Sequence, residues 1–122
     1  MKRLGSSGFS LFELLVVIAI IGVLAAAAIP RFADFRAAAY DSRSQQDLRN
    51  LASAQELHRA SNETYATEVA TLASFTPSEG VELTIDSADQ TAFHATAEHP
   101  GGHNVYQWDS AAQPALSSTP RG

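Results

Sequence analysis

From Phe9 to Ile29 the chain is apolar apart from Ser10, Glu13 and Gly22. About 21 residues at helical rise cover ~31 Å, close to the ~30 Å of bilayer hydrocarbon. Pro30 interrupts the run, yet residues 31–62 contain neither Gly nor Pro and are rich in Ala, Leu, Arg and Gln, so helix is expected to resume. Tyr40, Ser44, Leu48, Leu51, Gln55 and His58 fall on one face by 100° steps, a narrow and half-apolar stripe that suits a helix covered on one side. Leu57 points away from it. Arg59 is spaced to pair with both Glu56 and Glu63. The helix is expected to end near Asn62, and Thr67 to cap a short second helix through about Ala73.

After the turn cluster Thr76-Pro77-Ser78-Glu79-Gly80 the period changes to two. Val81, Leu83 and Ile85 alternate with Glu82, Thr84 and Asp86, a half-buried strand. Thr91, Phe93 and Ala95 share one face of a second strand, and residues 103–109, with Val105, Tyr106 and Trp108, form a third. The short connections between them predict an antiparallel meander. Pro114, Ser117, Ser118, Thr119 and Pro120 predict a loose tail after Ser110.

Charge sharpens this picture. The net charge is −5, but Lys2 and Arg3 precede the apolar run; without them six basic residues face thirteen acidic ones. The basic end predicts a cytoplasmic N-terminus, with the rest of the chain across the membrane. An acidic body argues against a specific nucleic-acid site. With no cysteine, disulfides and cysteine metal sites are excluded. His94, Glu98, His99 and His103 bracket a Pro-Gly-Gly turn and lack the spacing of a coordination sphere, so no metal and no cofactor are expected. No nucleophile–base pair, phosphate loop or carboxylate dyad has a fitting context, so the chain is not expected to be an enzyme. Asn62-Glu63-Thr64 and Ser117-Ser118-Thr119-Pro120 match glycan-acceptor patterns short enough to recur by chance.

Glu13 is the residue a plain membrane anchor does not explain. A charged carboxylate in a membrane helix costs up to about 3 kcal/mol at mid-bilayer and less near an end, and Glu13 would lie ~6 Å into the helix. Gly8-Phe9-Ser10-Leu11-Phe12-Glu13-Leu14, followed by an apolar run ending in Ala28-Ile29-Pro30, resembles the N-terminus of type IV pilins and related pseudopilins. The resemblance implies cleavage between Gly8 and Phe9 by a prepilin peptidase and N-methylation of the new Phe9 amine. It further implies polymerisation into a surface filament for attachment, motility or DNA uptake, driven by an assembly ATPase and its inner-membrane platform and passing through a secretin. The Phe9 amine of one subunit would neutralise Glu13 of the next, so that an unpaired charge marks one axial register. Pairing of Glu13 with its own Phe9 amine, or with the helix dipole, is the simpler alternative. Gly22 and Pro30 bracket a helical stretch that commonly loosens in filaments of this family.

The expected fold is α+β and pilin-like: a long N-terminal helix, transmembrane in its first half, packed on a small three-stranded antiparallel sheet. Residues 1–8 are the leader, 9–30 the transmembrane and filament-core helix and 31–62 its amphipathic continuation. Residues 63–110 are the sheet domain and 111–122 the tail. The implied location is the inner membrane before assembly and the cell-surface pilus afterwards, with self as main partner.

Looser similarity around Phe35–Ser42, Asp47–Leu51 and Asn62–Tyr65 points to short pilins studied for electron conduction. Phe9, Phe12, Phe32, Phe35 and Tyr40 invite that reading, but ordinary packing in a helical filament core is the one expected of them. The chain lacks the C-terminal disulfide of many pilins and the calcium-site pattern of major secretion pseudopilins. Three readings stay open beside a pilus subunit: a type II secretion pseudopilin, a secreted binding domain cut near Ala26-Ala27-Ala28, and an uncleaved anchored domain.

Overall fold

The computed structural model describes residues 8–122. Lys2, Arg3 and the rest of the leader through Ser7 lie outside the described residues. The long helix α1 spans Leu11–Asn62, and it is followed by a 3-10 turn at Val69–Thr71. Four strands come next: β1 (Glu82–Ala88), β2 (Phe93–Glu98), β3 (Asn104–Asp109) and β4 (Leu116–Pro120). The chain divides into two compact units, one ending at Asp34 and one running from Phe35 to Gly122. The first belongs to α1 from Leu11 onward; Pro30 lies inside the helix.

In the second unit the remainder of α1 carries every buried residue of the helix: Ala37, Asp41, Ser44, Asp47, Leu48, Leu51, Ala54 and Gln55. The expected stripe is present, with Ala37, Asp41 and Asp47 added and Tyr40 and His58 only half-buried. Leu57 is exposed, as its helical angle requires. Leu48, Leu51 and Ala54 pack on Tyr65, Ala66 and Leu72 of the connection and on Val81, Ile85, Phe93, Ala95, Ala97 and Tyr106 of the sheet. Ala95 and Ala97 are fully buried. Each large aliphatic side chain buried in this way contributes about 1.5–3 kcal/mol.

The sheet is an antiparallel meander in the order β1-β2-β3-β4. It has four strands where the sequence predicts three, and the residues expected to form a loose tail include β4. Backbone pairing decides this. Trp108 stands opposite Leu116, Tyr106 opposite Ser118 and Asn104 opposite Pro120, with Leu116 packed against the core. Pro120 is tolerated because β4 is an edge strand. Arg121 fastens the end: its N–H donates to the His103 carbonyl (2.8 Å), and its guanidinium donates to the His99 carbonyl (3.0 Å) and approaches Glu98 (3.6 Å).

Two further expectations give way. The helix expected from Thr67 is only the three-residue 3-10 turn, and no side chain caps it. Neither helix-spaced ion pair of Arg59 forms among the described residues. Its guanidinium lies 5.1 Å from the centre of the Tyr65 ring and donates to the Gln90 carbonyl (3.1 Å), while Glu56 accepts the Tyr65 hydroxyl (2.7 Å). Tertiary partners displace pairs worth only tenths of a kcal/mol.

Three polar side chains of α1 tie the following chain to the helix. Gln55, fully buried, accepts the Ala66 N–H and donates to the Ala66 carbonyl, both at 2.8 Å. Asp47 accepts the Ser78 N–H (2.7 Å) and hydroxyl (2.8 Å). Asp41 accepts the N–H groups of His103 (3.1 Å) and Asn104 (3.2 Å) and the Asn104 side-chain amide (3.3 Å). These bonds satisfy loop backbone that burial would otherwise strand. Beside Asp41, the His99 ring stacks on Tyr40 (3.8 Å between centres, 5° between planes). Gly80, at φ +80°, leaves no room for a Cβ against the far side of His99, and a Cβ at Gly101 would meet the Tyr40 ring at 2.7 Å.

Candidate functional site

In the first unit every described residue from Gly8 to Asp34 is exposed. Phe9 is 84% exposed and Val23 72%, and an apolar window of mean hydropathy 2.8 has no residue buried within the chain. A soluble monomer rarely presents so large an apolar surface to water, so this segment needs bilayer or protein around it.

Ahead of Arg31 the polar side chains of the segment, Ser10 and Glu13, stand at its first turn. Gly8, Phe9 and Ser10 are non-helical, and α1 opens at Leu11 rather than at Phe9. The Ser10 hydroxyl accepts the Glu13 N–H (3.2 Å), and the Ser10 carbonyl accepts the Leu14 N–H (3.1 Å). Ser10 is therefore the N-cap and Glu13 the third helical residue, an acid placed where the helix dipole favours it.

The family described as the prokaryotic N-terminal methylation motif matches residues 3–29, the stretch that holds Gly8, Phe9, Glu13 and Gly22. The type IV wide pilus major component PilA4 of Thermus thermophilus is 37% identical over 101 residues, which is 80% of this chain and 76% of that protein. The chain belongs to the type IV pilin family. The type IV major pilin protein PilA of Myxococcus xanthus is 40% identical over 73 residues, and a fimbrial protein of Pseudomonas aeruginosa is 45% identical over 49. The chain spans 33% and 32% of these two pilins, so likeness to them is confined to part of their length.

Within this pilin the expected site residues fall into two groups. Gly8 and Phe9 are the non-helical residues ahead of the Ser10 cap, and Glu13 is the residue whose N–H that cap holds. Gly22 and Pro30 stand apart from it along α1, and a Cβ at Gly22 or Gly8 would meet nothing within 4 Å. Among the described residues no close approach requires glycine at either position. His94, His99 and His103 have separate surroundings. His94 Nδ1 lies 3.1 Å from Asp86, the bulge residue between Ile85 and Ser87, and His99 accepts the Gly101 N–H (3.0 Å) while stacking on Tyr40. The His103 N–H is held by Asp41.

Three residues escaped the sequence reading: Ser10, Asp41 and Asp47. The Ser-x-x-Glu spacing of Ser10 and Glu13 just before an apolar run is a legible capping signal. Asp47 and Asp41 offered no local signal, because their partners lie 31 to 63 positions away.

Proposed function

We propose that this pilin is a structural subunit, held in the inner membrane by residues 9–30 and then polymerised into a type IV pilus. One observation carries the reading: a helix segment apolar on all sides, unburied by its own chain, bears a single carboxylate in its first turn. Bilayer satisfies that surface before assembly and neighbouring copies satisfy it afterwards. Removal of the leader after Gly8 by a prepilin peptidase creates a cationic amine at Phe9, which methylation retains as a cation. That amine neutralises Glu13 of an adjacent subunit and sets its axial register. The orientation is N-terminus in the cytoplasm, consistent with Lys2 and Arg3. Extraction would be the work of an ATPase with its membrane platform, and exit that of a secretin. Gly22 and Pro30 weaken the helix between them, since glycine costs about 1 kcal/mol against Ala and proline removes a backbone donor.

The names of the relatives, major pilins and a fimbrial protein, support a pilus subunit over a secretion pseudopilin. They also support a structural over a catalytic role. Mass spectrometry of protein sheared from the cell surface tests the reading: a chain beginning at methylated Phe9 is expected. A mature chain beginning near Ile29 would make this a secreted domain, and one beginning at Met1 a simple anchor.

A further inference from the structure

The helix begins two residues beyond the Gly8–Phe9 bond, and a specific hydrogen bond fixes that start. Ser10 accepts the Glu13 N–H, Phe9 and Leu14 occupy the two positions of a hydrophobic staple, and Glu13 holds the acidic position of a capping box. A hydroxyl at position 10 favours a helix that starts at Leu11 over one that starts upstream. Apolar surroundings sharpen this choice, because amides without water as a partner turn to helical carbonyls. Cleavage makes the opposite demand. An endopeptidase acts on backbone that is exposed and free of internal pairing, and among the described residues Gly8 and Phe9 are exposed and non-helical.

We propose that Ser10 is a positioning residue for leader removal: by capping α1 it keeps the Gly8–Phe9 bond outside the helix, where a prepilin peptidase reaches it. The step is a hydrolysis. Water adds to the Gly8 carbonyl carbon, the C–N bond breaks, Gly8 leaves as a carboxylate and Phe9 as an ammonium group. Ser10 takes no part in this chemistry; it sets the conformation of the substrate. The proposal rests on the reading of Gly8–Phe9 as the processed bond.

The experiment places the full-length chain with a prepilin peptidase in proteoliposomes and follows precursor and product by mass. Ser10→Ala is expected to be cut about fivefold more slowly than wild type, the size of a lost cap, and Ser10→Thr, which keeps the hydroxyl, near the wild-type rate. In the uncut precursor held in detergent, exchange at the Phe12 amide is expected to slow in Ser10→Ala, as a helix that starts at Phe9 pairs that N–H with the Gly8 carbonyl. Cutting of Ser10→Ala at the wild-type rate, equal slowing of Ser10→Thr, or unchanged exchange at that amide would each overturn the assignment while leaving the processing site intact. A wild-type chain not cut between Gly8 and Phe9 would instead remove the processing reading, and this proposal with it.

Discussion

The two parts of α1 use opposite chemistry for opposite surroundings. Up to Asp34 the helix is almost wholly apolar and none of it is buried by the chain. From Phe35 to Asn62 it is mixed, yet it buries two aspartates, a glutamine and a serine beside its leucines. Polarity alone therefore does not say which side chains lie inside. In the second part a polar group is buried because it has a partner: Gln55 with Ala66, Asp47 with Ser78, Asp41 with His103 and Asn104. In the first part the described chain covers none of the apolar groups, and the partners proposed for them are bilayer and other copies.

The contrast is broken most strongly by matched truncations. Leu48→Ala removes a fully buried side chain and is expected to cost about 2–5 kcal/mol of the second unit's stability. Ile18→Ala, exposed within the chain, is expected to leave that stability unchanged. Thermal unfolding of both variants in detergent, followed by near-ultraviolet circular dichroism, measures the difference; equal losses would mean that the first part of α1 packs on the second unit. Asp47→Ala comes next. It leaves the Ser78 N–H without its acceptor, at an expected cost of about 1–3 kcal/mol by the same melt. An unchanged melting temperature would show that these polar ties only decorate the core.

The smallest effect concerns pH. Hydrogen bonds from the Ala92 and Thr91 backbones, and from the Thr91 hydroxyl, hold the Asp89 carboxyl below its ordinary range. A carboxylate depressed by folding stabilises the native state above its unfolded pKa and loses that contribution as pH falls through the folded value. Stability of the second unit is thus expected to fall below about pH 4, and Asp89→Asn to reduce that dependence in melts across pH 2–6.

What was legible in the sequence follows the same division. The apolar run, the helix end at Asn62 and strands β1 to β3 are written in local periodicity, and the structure has them. β4 was not, because Ser117, Ser118 and Thr119 are pairable anywhere, and only β3 alongside makes them a strand. Asp41 and Asp47 look like solvent-facing helix residues until distant loops arrive. Ser10 is legible in the Ser-x-x-Glu spacing, which marks the Glu13 backbone N–H as a donor to be capped. Features resting on i+3 or i+4 spacing can be read from the chain; those resting on loop closure cannot.

Under the proposed function, other copies of the chain complete the first part of α1, with Glu13 as their register mark. The most direct measurement is electron microscopy of sheared filaments from cells making Glu13→Ala, alongside fractionation of their membranes. The account predicts normal membrane insertion with filaments absent or irregular. Wild-type filaments in wild-type number from that variant would contradict it.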